Sequence, residues 1–260
     1  MFAIPFATIN DFTLFSLVVG RMAGLFSAIP LFGSRTVPMR IKMAAIMAMA
    51  LVFFPIVKLQ MPPLPGDSLS IAILVIRETL IGLTLGVISQ VIFAAVELCG
   101  QLVGTQMGLS MAALFDPNTQ SNVSTMALFQ GILAMLLFVA LGVHHIFIRA
   151  IVESYQIIPV GAWHMSGELM KFFVTTIGAL FVLGVKLAAP VMVALLATSV
   201  ALGIMARAFP QMNVFMVSMP LNIGIGFLIL GLSLLAFLRT LETSFGGIDR
   251  QIKVLFKLLA

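Results

Sequence analysis

The chain alternates between long uncharged runs and short polar breaks, and this pattern predicts a protein built of long helices. Runs free of Asp, Glu, Lys, Arg and His cover 12–20, 22–34, 43–57, 79–96, 98–115, 117–143, 172–185, 187–206 and 208–238. A helix needs about 20 mostly apolar residues to cross a bilayer. The runs do not alternate between apolar and polar positions, as the strands of a membrane barrel would. An all-α membrane protein is therefore predicted.

Prolines and glycines divide these runs into separate helices, because proline lacks an N–H donor and clashes with the preceding helical turn. Breaks are predicted before Ile29-Pro30, within 60–67, at Asp116-Pro117 and at Pro159-Val160-Gly161. Pro190 is expected to kink or split the helix around it. The predicted helices cover about 9–29, 37–57, 69–110, 123–157, 167–189, 191–207, 213–238 and 241–259.

Composition strengthens the membrane prediction. Of 260 residues, 61% are hydrophobic and 9% are charged, whereas a soluble domain has roughly 25% charged residues. Such a chain is not disordered, and it lacks the polar shell that a soluble enzyme needs. The net charge of +5 comes from scattered basic residues, so no nucleic-acid partner is predicted. The first apolar stretch, with no Lys or Arg before Arg21, lacks a signal-peptide pattern and is expected to be retained.

Single charges interrupt the apolar runs at Arg21, Glu97, Lys186 and Arg207. A charge at the bilayer centre costs at least ~2.5–3.5 kcal/mol, so such residues usually face protein or water. Arg21 and Lys186 are interpreted as paired or snorkelling charges without a specific role. For Glu97, between the uncharged runs 79–96 and 98–115, a specific role and a purely structural one are equally expected.

Glycines recur at four-residue spacing, which lets helix backbones approach closely. Gly82 and Gly86 form one such pair, and Gly100, Gly104 and Gly108 form a longer series. The longer series predicts a tight helix contact.

No catalytic, nucleotide-binding or metal-binding motif is present, so neither an enzyme nor a cofactor is predicted. His144 and His145 are adjacent and would point about 100° apart on a helix, which does not suit a shared metal. The last helix has an apolar face with Ile248, Ile252 and Leu255 and a basic face on the other side. It suits a membrane surface or a partner's groove, and equally the ordinary solvated end of a last helix.

Two motifs resemble the FliR family, the export-gate subunit of flagellar type III secretion. The segment 106–117, QMGLSMAALFDP, is similar to the family's most characteristic stretch. The segment 203–215, GIMARAFPQMNVF, is similar to its late motif. A third match comprises 21–25 and 30–35, followed by Pro38 and Lys42. The order of motifs and breaks agrees with the family from about residue 10 to 250.

The resemblance implies a non-enzymatic structural and gating subunit of the flagellar protein-export channel. Members of the family assemble with FliP and FliQ into a helical channel for unfolded substrates, next to FlhB and FlhA. The expected location is the bacterial inner membrane, within the flagellar basal body and in contact with lipid. The broken and kinked helical hairpins would form a FliP-like part over 1–165 and a FliQ-like part over 166–260.

By the same resemblance, the segment from about Gly108 to Asn122 is expected to be a pore plug. Met111, Leu114 and Phe115 are bulky and apolar, and the Asp116-Pro117 turn could direct them into a lumen. Apolar constrictions of this kind block ions by dewetting. The residues expected to pack against other subunits are Glu97, Gly100, Gly104, Gly108, Arg207, Pro210, Gln211, Asn213 and Phe215.

A second function from a different class is a secondary transporter of ions or small molecules. Pro190 and the glycine-rich helices would then supply the broken-helix elements that bind substrate in such proteins. Purification separates the two hypotheses. A transporter would be stable alone or as a symmetric homo-oligomer, whereas an export-gate subunit would co-purify with unlike small membrane proteins.

Overall fold

The fold is helical throughout the part of the chain that the structure describes. The computed structural model describes residues 9–33, 37–58, 67–109, 124–161, 166–211 and 213–259, and none of these lies in a strand. In chain order the helices are α1 (Ile9–Ala28), α2 (Pro30–Gly33), α3 (Met39–Lys58), α4 (Ser68–Gln106), α5 (Thr125–Ala140), α6 (Val143–Ile157), α7 (Gly167–Ala208), α8 (Val214–Gly246) and α9 (Ile248–Leu259). The predicted all-α membrane class is confirmed.

Several helices are long and apolar enough to cross a membrane. Five described stretches meet that condition, and α5 with α6 would make a sixth as one span bent by 60°. The most apolar window of α1 is 61% buried within the chain, whereas the windows of α7 and of 216–259 are only 28% and 11% buried. The apolar surface of α1 therefore serves the chain's own core, while that of α7 and α8 faces outward.

The helices pack into two compact units that interleave along the chain. The first unit comprises Met1–Val91, Val139–Thr176 and Phe245–Ala260, and the second comprises Ile92–Phe138 and Ile177–Ser244. The long helices α4 and α7 each contribute to both units, so packing does not follow a single cut along the sequence. The division at 165/166 was predicted from similarity to FliP-like and FliQ-like parts, and it stays a prediction.

In the first unit, α1 packs against α3 and α4, and α6 packs against α1 and α3. The rings of Phe15 and Phe54 meet edge to face with centroids 5.7 Å apart. The amphipathic helix α9 lies on α6 and buries its apolar residues there. That face is thus covered by the chain itself, while Arg250, Lys253 and Lys257 on the basic face are exposed.

In the second unit, the C-terminal part of α4 packs against α5, α7 and α8. Phe93 of α4 meets Phe138 of α5 with ring centroids 5.5 Å apart. Gly184 of α7 lies against Ala95 and Leu98 of α4, and Gly226 of α8 lies against the side chain of Met107.

Two predicted breaks differ from the structure, and one observed break was not predicted. The helix around Pro190 is not split, because α7 continues from Gly167 to Ala208; long apolar helices tolerate proline when neighbouring groups compensate for its missing donor. The predicted helix 123–157 is instead broken at Gly142, whose φ of 64° is left-handed. The last break falls between Gly246 and Ile248 rather than near 239. The breaks before Pro30 and after Ile157 are confirmed.

Candidate functional site

A buried ion pair joins α1 to α4 in the first unit. The side chains of Arg21 and Glu78 are both 0% exposed. Nε and Nη2 of Arg21 each lie 2.6 Å from Oε2 of Glu78. Two charges in an apolar core are tolerated only when they are paired and their remaining hydrogen bonds are made. Arg21 was interpreted as either a paired or a snorkelling charge, and it is paired; the sequence did not indicate its partner Glu78.

The rest of the guanidinium is satisfied by α6 and the residues after it. Arg21 donates through Nη1 to Ser154 Oγ at 2.8 Å and through Nη2 to the Ile158 carbonyl at 3.4 Å. Its Cζ lies 3.9 Å from the ring centre of Tyr155, which is cation–π distance. One arginine thus connects three helices of the first unit.

The carboxylate of Glu78 also holds the chain segment that follows α6. The Gly161 N–H donates to Glu78 Oε1 at 3.3 Å, and Arg77 Nη1 donates to the Gly161 carbonyl at 3.1 Å. Gly161 has φ of 82°, and a Cβ there would lie 2.8 Å from Leu74 Cδ2, so only glycine fits without strain. The break predicted at Pro159-Val160-Gly161 is therefore fastened to α4 by charged side chains.

Two glycines allow α1 and α4 to cross at backbone contact beside this ion pair. A Cβ added to Gly82 would overlap the carbonyl oxygen of Arg21, and one added to Gly24 would overlap the carbonyl oxygen of Thr79. The close approach brings Arg21 and Glu78 within reach of each other. Gly82 and Gly86, expected to mark close packing, both lie at this crossing.

The glycines Gly100, Gly104 and Gly108 have two different roles in the second unit. A Cβ on Gly100 would overlap the backbone of Ala127, and one on Gly104 would overlap the Ser124 hydroxyl, so both lie against the start of α5. The Ser124 hydroxyl donates to the Gly100 carbonyl at 3.4 Å. The predicted tight contact is thus made within the chain by these two glycines.

Gly108 instead ends α4. Its φ is 80°, its N–H donates to the Thr105 carbonyl at 3.1 Å, and the Leu109 N–H donates to the Gly104 carbonyl at 3.0 Å. This pair of bonds around a left-handed glycine is the Schellman motif. Just before it, Met107 is 0% exposed and packs against Gly226 of α8.

The predicted plug side chains Met111, Leu114, Phe115, Asp116 and Pro117 lie outside the described residues. The structure describes their flanks, which are Leu109 on one side and Ser124 on the other. Because α5 starts against Gly100 and Gly104, the two flanks lie close together at one end of the α4–α5 pair.

Glu97 and Lys186 are exposed charges in the second unit. The Gln101 amide donates to Glu97 Oε1 at 3.3 Å. Neither charge belongs to an ion pair among the described residues, in contrast to Arg21.

The late motif forms the connection between α7 and α8. Arg207, Pro210, Gln211 and Asn213 are all exposed. Asn213 Oδ1 accepts the N–H of Met216 at 3.3 Å, which caps the first turn of α8. The side chain of Phe215 lies outside the described set. Packing of these residues against other subunits stays a prediction.

No group of three His, Cys, Asp or Glu side chains among the described residues could hold a metal ion. The side chains of Arg21, Arg77 and Glu78 join helices and the segment after α6, whereas hydroxyls such as those of Thr84 and Ser89 bond within their own helix. The arrangement around Arg21 and Glu78 is suited to holding helices together.

Comparison with known proteins identifies the chain's relatives. Residues 12–248 match the model of the family described as bacterial export proteins, family 1. The flagellar biosynthetic protein FliR of Caulobacter vibrioides is 32% identical over 229 residues, which cover 88% of this chain and 91% of that protein. The FliR protein of Bacillus subtilis is 33% identical, over 85% of this chain and 86% of that protein. The FliR protein of Escherichia coli is 32% identical, over 92% of this chain and 88% of that protein. The chain therefore belongs to the FliR family of bacterial export proteins.

Proposed function

We propose that this member of the flagellar export apparatus is a non-enzymatic structural and gating subunit of the flagellar type III export channel. It would assemble with FliP and FliQ in the inner membrane at the flagellar basal body, with FlhB and FlhA adjacent, and help to seal the pore through which unfolded substrates pass. Membership of the export family supports the assignment of the chain to the export apparatus. The geometry at the base of the predicted plug supports the gating role.

The base of the plug segment is the observation that carries the proposal. The chain leaves α4 through a fixed Schellman turn at Gly108 and returns at Ser124 against the same helix. Met107, immediately before the turn, is fully buried against α8. A segment held at both flanks can occupy a pore reproducibly, because little conformational freedom is left at its base.

The outward apolar surface supports assembly with other subunits. Bulky side chains on α7 and α8 are well exposed, among them Val182 at 71%, Met216 at 72% and Leu232 at 75%. Large apolar faces are covered by lipid or by other proteins. The transporter hypothesis used Pro190 and the glycine-rich helices, and α7 is not split at Pro190.

The plug assignment is tested by replacing Met111, Leu114 and Phe115 together with glycine. The loss of three bulky apolar groups is expected to raise ion leak across the inner membrane severalfold, since a dewetted constriction would become wet. The matched control replaces the polar neighbours Asn118, Thr119 and Gln120 with glycine. It changes backbone freedom in the same segment but removes no apolar bulk.

An unchanged leak in the apolar variant, with normal assembly, would count against the plug assignment. An equal rise in both variants would attribute the leak to flexibility rather than to the apolar side chains.

The proposed assembly is tested by gentle solubilisation of the wild-type chain. The chain is expected to co-purify with unlike small membrane proteins. Recovery only as a monomer or symmetric homo-oligomer would overturn it.

A further inference from the structure

A small cavity lies inside the second unit, between α5, α7 and α8. It is lined by Gln130 of α5, Ser233 of α8 and six leucine, valine and phenylalanine side chains of the three helices. The space open to the centre of a water molecule is about 10 Å³, and roughly 10–15 Å³ on this measure is needed to hold one water. The cavity is therefore the size of a single water molecule and too small for a larger ligand.

The side-chain carbonyl oxygen of Gln130 requires a hydrogen-bond donor in this cavity. Gln130 is 4% exposed, and no described residue donates to its Oε1. A buried acceptor has lost its bonds to bulk water, and nearly all such groups in proteins are paired with protein or with an ordered water. The same side chain is hydrogen-bonded to Cys99 of α4, which limits its freedom to turn towards another donor.

Ser233 supplies a second acceptor to the same cavity. Its hydroxyl donates to the Leu230 carbonyl, three residues earlier on α8, at 3.3 Å. The hydroxyl proton is thereby used, while the oxygen keeps lone pairs that can accept. Ser233 does not donate to Gln130 directly. A molecule that donates two hydrogen bonds satisfies both oxygens, and water is the donor of that kind that fits the space.

We propose that one structural water occupies this cavity and donates one hydrogen bond to Gln130 Oε1 and the other to Ser233 Oγ. The bridge joins α5 to α8 across a contact whose other six side chains are apolar. It positions α5, which starts against Gly100 and Gly104 of α4, relative to α8. The inference goes beyond the proposed function and does not depend on it, because all these residues belong to the second unit.

The first experiment is a double-variant cycle on the purified full chain, with thermal unfolding in detergent as the readout. Q130L removes one acceptor and S233A removes the other. Each single variant is expected to lower Tm by roughly 2–4 °C, the shift that one ordinary hydrogen bond gives in a chain of about this size. The double variant should lower Tm by no more than a single one, because the same bridge is lost only once.

S199A is the matched control for the serine. Ser199 donates to the Leu195 carbonyl within α7, as Ser233 donates within α8, but it does not line the cavity. S199A is expected to leave Tm nearly unchanged, and its effect should add to that of Q130L without coupling.

A dry cavity gives a different result in the same cycle. If Gln130 Oε1 were unpaired, Q130L would raise Tm, because it removes a buried acceptor that has no partner. S233A would then act independently of Q130L. A rise of Tm in Q130L, or strictly additive effects of the two substitutions, would overturn the proposal.

The second experiment locates the water directly and does not depend on the stability of a variant. A structure of the wild-type chain, alone or in its complex, at a resolution that shows bound waters should contain one peak within about 3 Å of both oxygens. A cavity that is empty at that resolution, or filled by a side chain of another subunit, would contradict the bridge.

Discussion

Isolated charges occur in both compact units of this chain, yet the two units treat them differently. In the first unit, Arg21 is fully buried and satisfied by Glu78, Ser154, Tyr155 and Ile158. In the second unit, Glu97 and Lys186 are exposed and have no ion-pair partner among the described residues. In both units a single charge interrupts an apolar run of the sequence. In the first unit this charge joins helices, whereas in the second unit the charges lie on the surface, accessible to other molecules.

The difference arises from what packs beside each charge. At the α1–α4 crossing, Gly24 and Gly82 bring two backbones into contact and place a carboxylate opposite the guanidinium. At the α4–α7 contact, Gly184 also allows close approach to Ala95 and Leu98, but the nearby Glu97 and Lys186 are exposed. Close packing alone does not pair charges, because they must also lie on the facing sides.

The largest effect should come from breaking the buried pair. Removing one partner of a buried ion pair typically costs 3–5 kcal/mol, because the other charge is left uncompensated, and Arg21→Met is expected to lose about that much. Unfolding of the purified chain in detergent measures it. Lys186→Met is the matched control and should leave the stability of the isolated chain nearly unchanged.

The double variant Arg21→Met with Glu78→Leu sharpens this prediction. Replacing both members of a buried pair with apolar residues is often close to neutral, so the double variant should recover much of the stability lost by the single one. If it were as unstable as Arg21→Met alone, the hydrogen bonds from Arg21 to Ser154 and Ile158 would account for the loss, rather than the unpaired charge.

The next largest effect is expected at the helix crossing. Gly82→Ala would force the Arg21 carbonyl and α1 to move, and overpacking of this kind costs about 1–3 kcal/mol. Gly178→Ala on α7 is the control, because no atom lies within 4 Å of its added methyl group. There alanine should stabilise the helix by up to about 1 kcal/mol. Equal effects on unfolding at both sites would contradict the crossing.

A smaller effect is expected where α4 ends. Gly108 has φ of 80°, and a non-glycine residue in that conformation costs roughly 1–2 kcal/mol. Gly108→Ala should therefore destabilise the chain, whereas Gly108→Asn should be milder because asparagine tolerates left-handed backbone. Unfolding measurements that fail to separate the two variants would argue against the Schellman turn.

The smallest effect concerns the start of α8. Loss of an asparagine cap typically costs about 1 kcal/mol, so Asn213→Ala should lower stability by that amount. Asn213→Ser retains an oxygen that can accept the Met216 N–H, and it should behave nearly as wild type. A larger loss of subunit co-purification than of stability would indicate that Asn213 also contacts a neighbour.

Much of the fold could be predicted from the sequence, because the length of an uncharged run and the position of a proline act locally. The break at Pro30 and the end of the helix before Pro159 were found in this way. The break at Gly142 was missed because a single glycine in an apolar run is usually tolerated within a helix. Pro190 was expected to kink or split its helix, and the split is wrong because the long apolar helix continues despite the lost donor.

Some features of the candidate sites could likewise be predicted from the sequence, and others could not. The glycine spacing on α4 predicted a close helix contact, and Gly100 and Gly104 make it. The partner of Arg21 could not be predicted, since Glu78 lies 57 residues away and only the folded helices bring the two together. The role of Gly108 could not be predicted either. Its four-residue spacing from Gly104 suggested helix packing, but its left-handed backbone conformation ends the helix.

The buried cluster around Arg21 also sets an order for the making of the protein. Arg21 and Glu78 are synthesised early, but Ser154 and Ile158 follow Arg21 by 133 and 137 residues. A nascent chain that ends before α6 holds a charged pair with part of its hydrogen bonding missing. The hydrogen bonds of the cluster can therefore be completed only after residue 161 has been synthesised, because the Gly161 N–H donates to Glu78. A shorter nascent chain therefore lacks part of the polar contacts that join α1, α4 and α6.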